Sequence, residues 1–208
     1  MQSTDIKPLT SVHALKEWAV AIDALRNGQS LVTVRKGGIR EDAREFRMEH
    51  RRFLLFPTYE HQNPDQLREE FVGTLDRVVA AAPSPGLVEI DTWAEVSDVI
   101  EVTHEEQVRA LSEFSVFSPA YAIERLQWRP RKPLHVLVLR IFRLESGLRL
   151  PLTPAYGGCK SWITLDQEGH LDDTSPALST TAFETVRERV LASLRDAAPH
   201  VNEISSGL

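Results

Sequence analysis

Apolar residues recur along this chain at two spacings, and the switches between them mark its elements. Leu15, Trp18, Ala19, Ile22 and Leu25 fall at helical spacing and Asn27-Gly28 supplies a stop, so the pattern predicts a first helix there. "LVTVRKGG" reads as a strand ending in a glycine turn, and "RRFLLFP" as a buried strand closed by Pro57. Asn63 as N-cap, Pro64 at the first helical position and Gln66 at capping-box spacing predict a second helix, with Leu67, Phe71, Leu75 and Val78 as its apolar face.

"AAAPSPG" links that helix to the strand "EVSDVIEV", in which alternation puts Val96, Ile100 and Val102 on one face. Thr103 to Glu106 forms a capping box for a short helix, and Ser118-Pro119 starts a helical turn that runs to Leu126. "LHVLVLRIFRL" is apolar on both faces and rich in branched residues, as an interior strand requires. "SWITL" is a further strand, entered through "AYGGCK". From about Thr181 to Ala197 a last helix carries Phe183, Val186, Val190, Leu191 and Leu194 in one stripe, which we read as core-facing in preference to a dimer interface.

Strands and helices alternate without the regular rhythm of a doubly wound sheet, so the expected class is α+β: a mixed, partly closed β-barrel with packed helices and a C-terminal helix. Residues 1–175 are expected to form one α+β domain, and 176–208 a helical appendage packed on it. No internal repeat or low-complexity tract is visible.

Composition narrows the setting. The single cysteine, Cys159, excludes an internal disulfide and fits a reducing compartment. No apolar N-terminal stretch resembles a signal peptide, and the run from Val136 to Leu144 is short and broken by Arg140 and Arg143, so neither a membrane span nor a membrane partner is expected. A cytoplasmic protein is the expectation. The net charge of −6 weighs against general affinity for nucleic acid. Charge is nevertheless uneven: residues 89 to 106 hold seven acids and no Lys or Arg, whereas 35 to 52 hold seven bases against four acids. A second basic knot, Arg125, Arg129, Arg131 and Lys132, surrounds Trp128.

Three loops concentrate candidate chemistry. In "VRKGGIRE" the glycine pair permits close backbone approach beside Arg35, Lys36 and Arg40, although the spacing is not that of a phosphate loop. In "FPTYEHQNP" Tyr59, Glu60, His61 and Gln62 stand before the helix start at Asn63, whose free N–H groups suit an anion or a polarised carbonyl. In "PAYGGCKSW" Tyr156, Lys160 and Trp162 enclose a glycine pair, and Cys159 is read as packing more readily than as a nucleophile. Glu49-His50 and Glu60-His61 do not make one metal site, because eleven extended residues span roughly 36 Å. There is no HExxH, CxxC pair or GxSxG, so neither a metal nor a cofactor is expected.

The blocks "ALKEWAVAIDALRNG", "VRKGGIRE", "EHRRFLLFPTYEHQ", "LHVLVLRIF" and "AYGGCKSW", taken in order from about Leu15 to Leu165, resemble the bacterial family called domain of unknown function 1802. That resemblance implies no established activity; links of some members to restriction-endonuclease-like domains imply a restriction or nucleic-acid context. More distantly, the order of elements is similar to PUA-like barrels, including the ASCH and EVE groups, which implies binding of RNA or modified bases. In the hydrolase-like members of that superfold a lysine of the early strand-turn region matters, and Lys36 is its nearest counterpart here.

The expectation is a module that binds single-stranded nucleic acid or a modified nucleotide. Arg35, Lys36 and Arg40 would meet phosphate, Tyr59, Tyr156 and Trp162 would stack on bases, and His61 and Gln62 would read base edges. The alternatives are a modified-nucleoside hydrolase, with Lys36 or Lys160 as nucleophile or stabiliser and Glu60 or His61 as acid-base, and a protein-protein module using the acidic 89–106 segment and the last helix.

Overall fold

Because β5 (Leu134–Pro151) is apolar on both faces, it can be buried from both sides, and the sheet is built around it. The computed structural model describes residues 13–36, 50–128, 133–158, 160–167 and 174–197. β4 (Leu87–Val102) pairs antiparallel with β5 from Leu87↔Pro151 to Val102↔Leu134. Register shifts at Ile90/Thr92 and Val96/Asp98 bend this long pair, and each extra residue turns the following side chains to the other face. Val96 therefore packs inward with Leu137 and Leu139, while Ile100 and Val102 pack outward under the helices. The common face that alternation predicts for these three is broken by the second bulge.

Beyond β4 come β3 (Arg52–Thr58), antiparallel to it, then β1 (His13–Trp18), parallel to β3, and β6 (Trp162–Thr164), antiparallel to β1. Along the other side of β5, β2 (Val32–Lys36) covers Leu134–Val138 and β7 (Thr174–Pro176) covers Phe142–Leu144. Seven strands thus form one mixed sheet among the described residues. Its hydrogen-bonded path runs β2-β5-β4-β3-β1-β6 and does not close. Yet β1 and β2, four places apart on that path, touch through side chains, so the sheet curls into a partly closed barrel.

β1 corrects the sequence reading, which put Leu15 in a helix. Ala14 and Leu15 are both buried, on opposite faces between β3 and β6, and this pairing outweighs the helical spacing. The helix, α1 (Ala19–Arg26), starts only after Trp18 and sends Ile22 and Leu25 into the inside of the curl. α2 (Glu69–Ala80) packs on α1 through Phe71 and Leu75. α3 (Glu105–Ala110) begins one residue later than the predicted box: Gln107 Oε1 accepts from the Thr103 and His104 N–H groups. α4 (Pro119–Gln127) is capped by Ser118, whose Oγ accepts from the Tyr121 N–H.

α5 (Thr180–Asp196) buries Phe183, Val190 and Leu194, so the predicted stripe faces the core of the same chain. Leu178, just ahead of it, sits so close over Gly28 that a Cβ there would lie 2.5 Å from its methyl carbon, and Gly28 also has φ +67°. Arg140 lies between the rings of Phe142 and Phe183 and donates to Thr180 Oγ1 at 2.9 Å. Arg187 holds Asp98 of β4 in two hydrogen bonds of 2.6 Å.

Those bonds from Arg187 keep the Asp98 carboxyl below the usual carboxylate range. A carboxyl so depressed contributes stability above its unfolded pKa of about 3.9 and loses it as pH falls through the lower folded value. Asp98→Asn is expected to cost about 1–2 kcal/mol at neutral pH and to flatten the acid limb of stability against pH, measured by urea unfolding across a pH series.

Candidate functional site

The seam between β1 and β2 is filled by a carboxylate. Glu17 is 5% exposed, and its Oε2 accepts from Thr33 Oγ1 at 2.6 Å and from Arg35 Nη2 at 2.8 Å. Its Oε1 accepts from the Trp18 N–H, and Arg35 also donates to the Lys16 carbonyl at 3.1 Å. A buried pair is tolerable only when every lone pair is met in this way. Arg35, expected at a phosphate, thus spans the barrel gap.

Lys36, one residue on, is turned to the opposite face. Its ammonium donates to the Leu126 carbonyl at 2.5 Å, in the last turn of α4, where a cation suits the helix C-terminus. Burial lowers its pKa. His135, across from Arg35 on β5, is buried with Nε2 3.4 Å from Glu101 Oε1. Burial pushes that imidazole's pKa down, against the opposing pull of Glu101.

The loop 59–62 leaves β3 beside the point where β1 turns into α1. Gln62 ties the two together: its Oε1 accepts from the Val20 N–H at 3.1 Å and its Nε2 donates to the Tyr59 carbonyl at 3.3 Å. The helix start that this loop serves is therefore that of α1, reached from 42 residues away. Asn63 opens only a single 3-10 turn, Pro64–Gln66, its Oδ1 accepting from the Asp65 N–H. The predicted helix cannot continue because Leu67 is drawn into a bridge with Phe117 and the Arg68 N–H donates to Val116, leaving α2 to start at Glu69.

Within this braced loop Glu60 and His61 are exposed, and His61 has φ +61°, alone among the described non-glycine residues in the left-handed region. Tyr59 is half-buried. Burial, with Asp91 and Glu89 nearby, raises the pKa of its phenol, which stays a hydrogen-bond donor at neutral pH.

The third loop lies on the other flank of β1. Lys16 lashes it down: its N–H donates to Ser161 and its Nζ to the Gly158 carbonyl. Tyr156 is buried edge-on against Phe56, with its hydroxyl accepting from the Asp166 N–H. Lys160 is exposed. Trp162 is half-buried, edge-on to Phe53 at 4.9 Å and to His50 at 5.6 Å, and His50 stacks on His13 with ring centres 3.6 Å apart. Loop 59–62 and the residues bonded to Lys16, Gly158 and Ser161, thus flank one strand, whereas Lys36 faces α4. Arg40, the glycine pair 37–38 and Cys159 lie outside the described residues.

No group of three or more His, Cys, Asp or Glu with metal-ligand geometry occurs among the described residues, and no helix there is long and apolar enough to cross a membrane. Two cavities of about 10 Å³, one under Leu178 and Phe183 and one under Pro119 and Ala122, hold no more than a water and touch neither loop. The acidic run resolves into pairs: Glu89 with Arg149, Asp91 with Arg26, Glu95 with Arg52, and Asp98 with Arg187. Sequence reasoning missed Glu17, which sat inside an expected helix, and the meeting of His13 with His50. Each of those histidines stands at or just before the start of a strand, and strand pairing was the signal that would have joined them.

A domain of unknown function, DUF1802, matches residues 14–189, and the chain belongs to that family. No curated protein matches it. Among solved structures the chain is similar to ASCH from Zymomonas mobilis, at 10% identity over 86% of this chain and 94% of that one, with a TM-score of 0.38. A mutant of the same protein gives 9% identity over 87% of this chain and 97% of that one, with a TM-score of 0.37.

Gln62→Leu removes the acceptor for the Val20 N–H and the brace on the loop. The expected cost is about 1–2 kcal/mol, together with faster hydrogen exchange at the Val20 amide.

Proposed function

We propose that this protein is a binding module for a nucleobase-bearing ligand, a single-stranded nucleic acid or a modified nucleotide, taken at the loop 59–62. The observation that carries the reading is His61: an exposed side chain held in a left-handed backbone conformation by a loop that Gln62 braces at both sides. Such a conformation costs a non-glycine residue of order 1–3 kcal/mol and clusters at ligand clamps. Tyr59 offers a ring face and a protonated hydroxyl beside it, and Glu60 an acceptor for a base amino group. A hydrolase built on Lys36 ranks second, since that ammonium is already bonded to the Leu126 carbonyl.

The test replaces the ring without straining the loop. His61→Gly is expected to leave unfolding free energy unchanged or raised by up to about 1 kcal/mol, and to weaken binding of mononucleotides and short single strands about tenfold. Calorimetric titration beside thermal unfolding reads both. Equal affinity in wild type, His61→Gly and Tyr59→Ala would sink the assignment.

A further inference from the structure

We propose that the rings of His13, His50 and Trp162, together with Arg51 and Lys160, form a track for single-stranded nucleic acid, with bases stacked on the rings and phosphates on the two cations. The proposal rests on the nucleic-acid reading above but on different residues. His13 opens β1 and His50 stands just ahead of the parallel strand β3, at one margin of the sheet; β6 runs the other way, so Trp162 lies opposite Leu15, two residues in from that margin. The register sets His13 opposite Thr164 and Leu15 opposite Trp162, which puts both rings on the inner face of the curl.

The ladder is continuous. His13 and His50 are parallel within 12°, His50 meets Trp162 edge-on, and Trp162 rests edge-on against Phe53, which is wholly buried. The inner end is anchored in the core, while the three outer rings remain partly exposed. Flat aromatic faces accept any base, which is how sequence-tolerant single-strand sites are made.

Charge singles out the same margin. The nearby Arg52 is committed to Glu95, and Arg26, Arg149 and Arg187 are each committed to an acid of β4. Arg51, which follows His50, and Lys160, two residues ahead of Trp162, are both exposed and enter no ion pair among the described residues. In a chain of net charge −6, two exposed cations close in sequence to His50 and Trp162 suit a short stretch of phosphate backbone.

Anisotropy of labelled RNA and DNA single strands of about eight nucleotides, titrated with the full chain at several salt concentrations, tests this. Two phosphate contacts predict a slope of log K against log salt of about −1.4, falling to about −0.7 in Arg51→Ala or Lys160→Ala. His50→Ala is expected to weaken binding about tenfold, and thermal unfolding identifies any variant that has lost its fold. Both cations are exposed, so the Arg51→Ala/Lys160→Ala double variant decides even if a ring variant is unstable. Unchanged binding and slope in that double variant, with loss in His61→Gly, overturns the track and leaves the loop site standing. Loss in the double variant with His61→Gly silent upholds the track and removes the loop. Absence of binding by the wild-type protein at low salt overturns both.

Discussion

Backbone hydrogen bonds carry the sheet from β2 round to β6 but not across the gap between β1 and β2, and Glu17 is what spans it. No backbone hydrogen bonds join β1 to β2 along that path, so side chains must do so. One carboxylate accepting from Thr33, Arg35 and its neighbour's N–H supplies partners on both sides at once. The arginine's remaining reach to the Lys16 carbonyl fixes the strand separation. The position of β1, and so of everything attached to it, follows: α1 at its end, loop 59–62 beside that end, and Gly158 and Ser161 lashed to Lys16.

A second regularity concerns where charge goes. β4 carries acids along much of its length, and arginines from α1, β3, β5 and α5 meet them one by one. Individually such pairs contribute little at a surface. Collectively they help fix which helices and strands lie against β4, and they occupy Arg26, Arg52, Arg149 and Arg187, which are then not available for a ligand. An acidic run that looks like a surface for a basic partner is, once folded, mostly satisfied internally.

How much of this was legible depended on whether one spacing could serve two structures. β5 was readable because an eleven-residue apolar run, "LHVLVLRIFRL", rich in branched side chains, suits only an interior strand, and α5 because its stripe is long. "HALKEW" was not, since Leu15 and Trp18 fit a helix as well as Leu15 and Glu17 fit a strand, and only pairing with β3 and β6 decides. Asn63-Pro64 carried a genuine cap signal that a bridge between Leu67 and Phe117 cut short. Val96 and Ile100 ended on different faces because a bulge leaves no mark in hydrophobic alternation. The loop 59–62 was recognisable as chemically dense, but its bracing by Gln62 was not, because the bonded amide lies 42 residues away.

The pairing of β1 with β6 has a consequence for how the chain is made. His13 cannot meet Thr164, nor Leu15 meet Trp162, until some 150 further residues have been synthesised. The far side of β5 likewise waits for β7 to extend the row begun by β2. The β6 side of β1 must therefore wait for the far end of the chain, and the native sheet is completed late, through contacts of long sequence separation. Pairings so far apart in sequence lower the expected folding rate.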